Sequence, residues 1–146
     1  MFKEVLTTGR YAFWKGYLDN TFTKIDLSKV EITEAVPVAL LENIKVRAYT
    51  RKYQVLNFEK GLLFVNGAFV KELAAGNYYF WNNATPIEVK NVDIRQQQME
   101  IAGQELLTKD KATLRINFFV RYQVIDAVKA LVNNKEYDKQ LYVLMQ

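Results

Sequence analysis

Apolar and polar side chains alternate most cleanly over residues 112–124. Ala112, Leu114, Ile116, Phe118, Val120, Tyr122 and Val124 share one face, and Thr113, Arg115, Asn117, Arg121 and Gln123 share the other. That period of two predicts a half-buried strand. Phe119 interrupts its polar face. Gly61-Leu62-Leu63-Phe64-Val65 and Ala68-Phe69-Val70-Lys71-Glu72 flank Asn66-Gly67, which predicts a hairpin closed by a type I′ turn. Further strands are expected over residues 2–6, 21–26, 45–58, 87–94 and 98–102, with Pro86 and Gly103 at boundaries where such residues are tolerated. The period changes near the end. Asp126 is a plausible N-cap for a helix over 127–132, Asn133-Asn134 interrupts, and residues 135–146 place Tyr137, Leu141 and Leu144 on one helical stripe. Strands first and helices last is the order of an α+β fold.

The chain also repeats itself. Phe2, Leu6, Gly9, Tyr11, Phe13 and Trp14 recur as Phe69, Leu73, Gly76, Tyr78, Phe80 and Trp81, at a constant offset of 67 residues. Both tryptophans of the chain lie in this repeat, and Ile25-Asp26-Leu27 continues the register onto Val92-Asp93-Ile94. Each copy reads as a strand end, a glycine turn and a short aromatic strand. The aromatic residues are expected in the core, with a belt at a lipid interface as the alternative. Met1 aligns with Ala68, whose hairpin partner lies upstream, so the strand at 2–6 is expected to carry an open edge. With a final helix that runs uncapped to Gln146, this suggests a segment of a longer protein.

Composition narrows the chemistry. The 146 residues are 50% hydrophobic and 25% charged, with a net charge of +4, which suits a folded chain and not a disordered one. Cysteine and histidine are both absent and Ser28 is the one serine. Disulfides, thiol catalysis, cysteine-bound metal and histidine-based acid–base work are excluded. The glycines form no phosphate-binding loop and the carboxylates lack the spacing of a calcium loop. The expectation is no catalytic residue, no cofactor and no metal. Asp110 sits in the turn expected at Thr108-Lys109-Asp110-Lys111. No apolar run approaches the roughly 18 residues that span a bilayer, so the chain by itself is expected to be soluble.

One stretch combines basic and aromatic residues. On a strand, Lys45, Arg47, Tyr49, Arg51 and Tyr53 would share a face, with Lys52 beside them. Lys45, Arg47, Arg51 and Lys52 are the candidate contacts to an anionic surface, either a membrane or, as the alternative function, a nucleic acid or other ligand. The same residues fit a solvated strand face, because Glu42 and Glu59 dilute the charge. Nucleic acid is accordingly not expected as the partner. Phe119, Tyr137, Leu141 and Leu144 are the candidate protein contacts, with packing beneath a helix or second sheet as the alternative for Phe119.

Residues 92–146 carry a resemblance. Gln104-Glu105-Leu106-Leu107-Thr108-Lys109-Asp110 followed by a long strand ending in Tyr122-Gln123-Val124 is similar to the Q-E-I-L-T-K-D segment and Y-x-V strand of stomatins and slipins. Val92-Asp93-Ile94-Arg95 resembles their V-D-L-R, and residues 126–131 their D-P-x-x-A-L helix start, with Ala127 in place of the proline. Gly61 to Gly67 and Pro86-Ile87-Glu88-Val89 resemble early strands of bacterial slipins. The chain thus resembles the SPFH (band 7) superfamily of stomatin, prohibitin and flotillin. The resemblance implies a strand-rich repeat unit over 1–57 and a partial SPFH domain over 58–146, cut within its helical part. It implies a twisted antiparallel or mixed sheet with C-terminal helices. It further implies a non-enzymatic scaffold on the cytoplasmic face of a membrane, a homo-oligomer in its full-length form, that organises microdomains or regulates membrane proteins and proteases. Membrane proteins of the NfeD type are the implied partners. The hydrophobic anchor and the long helical tail usual in the family have no counterpart in this sequence.

Overall fold

The computed structural model describes residues 2–14, 16 and 19–145. Asn66 and Gly67 adopt φ of 52° and 77°, the pair of positive values that a type I′ turn requires. Strand β2 (Glu59–Val65) and strand β3 (Ala68–Leu73) meet across it from Val65↔Ala68 to Gly61↔Leu73, with an irregularity between Leu63 and Phe64. Strand β5 (Ile87–Asp93) pairs antiparallel with the other edge of β2 and completes a three-stranded sheet. β2 is central and reads as an uncharged, largely apolar run from Gly61 to Val65, in which Gly61, Leu62 and Leu63 are buried. A separate antiparallel ribbon joins β6 (Gln96–Leu107) to β7 (Thr113–Gln123). Strand β1 (Thr50–Val55) pairs with β4 (Gly76–Trp81). Helices α1 (Val38–Leu41) and α2 (Ile44–Arg47) precede the strands, and a π-helical turn (Lys129–Asn133) and α3 (Tyr137–Leu144) follow them. The class is α+β, with antiparallel strands and short C-terminal helices.

Two compact units arise, one from Met1–Tyr53 with Asn77–Pro86 and one from Gln54–Gly76 with Ile87–Gln146. In the first, Leu41, Val46 and Trp81 are buried together, and Phe2, Ile25, Ile32, Val36 and Tyr79 pack against them. In the second, Leu62, Val92, Val124 and Ala127 form the core beneath Phe64, Leu131 and Tyr137. Asp126 caps the turn that supplies Ala127, accepting a hydrogen bond from the Lys129 N–H at 3.0 Å.

Several expectations are corrected. Residues 2–6 and 21–26 form no strand; neither pairs in a ladder with a described strand, and a strand needs a partner for its main-chain groups. The expected strand at 45–58 starts late, because the Asn43 side chain accepts the Lys45 N–H at 3.0 Å and caps α2. β6 runs past Gly103 to Leu107. The ladder shifts register between Ile101 and Gln104, where Gly103 takes φ 75° and donates its N–H to Asn117 Oδ1 at 2.9 Å. The final helix is shorter than expected, and its anticipated end at Gln146 lies outside the described residues. The two aromatic repeats also part company. Phe80 and Trp81 are core, whereas Tyr11, Phe13 and Trp14 are exposed, Trp14 at 97%.

Candidate functional site

The basic cluster is not one strand face. Lys45 and Arg47 lie on α2, while Arg51 and Lys52 lie on β1. Lys45 Nζ donates to the Lys3 carbonyl at 3.1 Å. The half-buried Arg51 guanidinium donates to the carbonyls of Trp81, Asn83 and Thr85 and to Asn83 Oδ1, at 2.8–3.3 Å. Asn83 passes the connection on, because its Nδ2 donates to the carbonyls of Leu27, Ser28 and Lys29. A cation read from sequence as surface charge is therefore the tie of the loop after β4.

Lys52 belongs to a different arrangement. Its ammonium meets Glu42 Oε1 at 2.7 Å and lies 5.6 Å from the centre of the Tyr79 ring. The Tyr79 hydroxyl donates a short hydrogen bond to the same carboxylate oxygen. The hydrogen bond from Lys52, then that from Tyr79, holds the Glu42 carboxyl below its ordinary range. The reciprocal bond to Glu42 raises both Lys52 and Tyr79. These groups line an open hollow of about 230 Å³ with Leu41, Arg47 and Thr50. Its one carboxylate is already matched by its nearest ammonium. Among the described residues no cluster of acids could hold a metal ion. Glu42 and Tyr79, 37 residues apart, carry no sequence motif that would pair them.

The remaining candidates lie on the ribbon and the last helix. β6 and β7 face each other as Met99↔Val120, Ile101↔Phe118 and Leu106↔Leu114 on the apolar side. Ile101 is fully buried, but Leu106 and Leu114 at the far end stay exposed. On the polar side, Glu105 meets Arg115 at 3.3 Å and Phe119 stands opposite Glu100, 61% exposed. Among the described residues nothing buries Phe119, so the expectation of packing beneath a helix or second sheet does not hold. The stripe on α3 is divided. Tyr137 packs on the core with Leu62 and Val92, whereas Leu144 is 81% exposed. The Tyr122 hydroxyl binds Gln97 Oε1 at 2.7 Å and Asp138 Oδ1 at 3.0 Å, which joins β6, β7 and α3. Sequence reasoning missed the exposed leucines of the ribbon; the signal was Leu106-Leu107 next to a polar turn.

The SPFH domain / Band 7 family matches residues 53–144. The chain belongs to that family. The match takes in the three-stranded sheet, the ribbon and the C-terminal helices. The chain is 32% identical over 93 residues to an uncharacterised protein of Methanocaldococcus jannaschii, covering 63% of this chain and 45% of that one. It is 33% identical over 85 residues to stomatin homologues of Pyrococcus horikoshii and Pyrococcus abyssi, covering 57% of this chain and 30% of each of those. It thus spans less than half the length of these curated relatives. The three are archaeal, whereas the sequence resemblance pointed to bacterial slipins. The family is generally non-catalytic. Among the described residues, no helix is long and apolar enough to cross a membrane.

Proposed function

We propose that this SPFH domain works as a non-catalytic scaffold of the stomatin and slipin type. It associates with the cytoplasmic face of a membrane and self-assembles to organise microdomains or to regulate membrane proteins and proteases. An NfeD-type membrane protein is the proposed partner. Family membership over 53–144 carries the reading. The apolar side chains left open within that span, Phe119, Leu106, Leu107 and Leu114, supply contact surface without reactive chemistry. The absence of histidine and cysteine from the sequence supports a binding role over a catalytic one.

The test has two arms. Light scattering over a concentration series reads the mass, and flotation with vesicles of neutral or anionic lipid reads membrane contact. A discrete oligomer together with flotation is the expected result. A monomer at every concentration that stays at the bottom of the gradient overturns the proposal.

A further inference from the structure

The two copies of the internal repeat have unequal partners. In the second copy, β3 is laddered to β2, and Trp81 at the end of β4 is 1% exposed. In the first copy, residues 2–14 repeat the same Phe, Leu, Gly, Tyr, Phe and Trp at the offset of 67. They form no strand, and Trp14 is 97% exposed with Tyr11 and Phe13 also open. One sequence pattern thus has two outcomes: in the second copy β2 pairs with β3 and β1 pairs with β4, and among the described residues the first copy has neither ladder. A strand's affinity for an edge comes from main-chain hydrogen bonds, and its specificity from alternate side chains.

We propose that residues 2–6 are a docking edge for an extended apolar strand of the β2 type, and that docking folds residues 2–6 as β3 is folded. The register states the chemistry of that partner. Gly61↔Leu73, Leu62↔Glu72, Leu63↔Lys71 and Phe64↔Phe69 in the second copy become glycine opposite Leu6, leucines opposite Val5 and Glu4, and phenylalanine opposite Phe2. The partner is an antiparallel segment with a glycine, two leucine-like residues and an aromatic ring. In the second copy that ring meets its counterpart with centroids 5.9 Å apart. The chain's own β2 is not available for this, because β3 and β5 occupy both of its edges. Phe2 already packs against Leu41, Val46 and Trp81, which anchors one end of the docking segment. The inference stands apart from the scaffold reading.

The experiment uses the whole chain and a synthetic peptide of residues 59–67. A second arm fuses another copy of 59–67 ahead of Met1, so that its Asn-Gly turn leads into Phe2 in the register of the second copy. Hydrogen exchange is read at the amides of residues 2–6. Exchange slowed by about tenfold or more at residues 2–6 is the expected result in either arm. Unchanged exchange in the folded fusion overturns the proposal. If the fusion does not fold, the peptide arm decides: no slowing at excess peptide overturns it. Slowed exchange at residues 2–6 that appears on concentrating the chain alone assigns the edge to a second copy and also overturns it.

Discussion

Arg51 spends its guanidinium on neutral acceptors. Three main-chain carbonyls and the Asn83 side chain take its N–H groups, and none of them carries a compensating charge. Arg51→Ala takes this donor from the half-buried carbonyls, while Asn83 Oδ1 keeps the Thr85 N–H at 3.0 Å, at an expected loss of about 1–3 kcal/mol. Arg51→Lys recovers only part of this, because a point ammonium lacks the planar fork. The loss is read as a lower urea midpoint with an unchanged slope. A double-mutant cycle with Asn83→Ala shows coupling, since the two side chains touch at 3.0 Å. An unchanged midpoint in Arg51→Ala rejects the tie. Arg51 shows what the sequence withholds at this scale. Its charge and its spacing from Lys52 are legible, but its acceptors lie 30–34 residues away, three of them main-chain carbonyls, which no side-chain pattern displays.

Elements whose partner is close in sequence are the legible ones. The Asn66-Gly67 hairpin, the turn at 108–111, the long alternating strand and the Asp126 cap are all recoverable from local rules. The strands expected at 2–6 and 21–26 satisfy the same local rules, and the structure leaves them unlaid for want of a ladder. Gly61 marks where non-local packing governs an element. A Cβ there would lie 2.7 Å from Val55 Cγ2 and 3.2 Å from Leu73 Cβ. Gly61→Ala therefore has to push β1 or β3 aside, with an expected cost of about 1–3 kcal/mol by chemical denaturation. A neutral result would show that the sheet yields freely at its centre.

Tyr122 gives the joined elements a pH signature. Burial, then the hydrogen bond to Asp138, pushes its hydroxyl up to about 12 from an ordinary value of 10.0. The folded chain therefore holds the proton that the unfolded chain releases first. That stability is fully present below pH 10 and is lost as pH rises from about 10 to about 12. Tyr122→Phe removes this part of the alkaline decline, so its stability profile falls less steeply in that window. It also lowers stability at neutral pH, because the bonds to Gln97 and Asp138 are gone. Identical slopes for both proteins above pH 10 would remove Tyr122 from the account.

At the scale of the whole molecule, Phe119 and Leu144 are open apolar side chains on different elements, and each makes a different prediction about assembly. Phe119 stands opposite Glu100 on the polar side of the ribbon, while Leu144 stands near the end of α3. The sequence marks both residues, Phe119 because it breaks an alternation and Leu144 because it completes a stripe. It does not reveal that Tyr137, on the same stripe, turns into the core. Both open side chains are solvated in the single chain, so Phe119→Asp and Leu144→Asp are each expected to change stability by no more than about 0.5 kcal/mol. Their effects on mass differ. A ribbon-mediated oligomer loses mass in light scattering with Phe119→Asp and keeps it with Leu144→Asp, because a charge buried at a contact is costly and the same charge in water is not. An oligomer held by α3 shows the reverse. The ribbon is the expected contact, since Phe119 lies on a two-stranded element whose long edges invite a further strand or sheet face. An oligomer that survives both substitutions assigns assembly to neither surface.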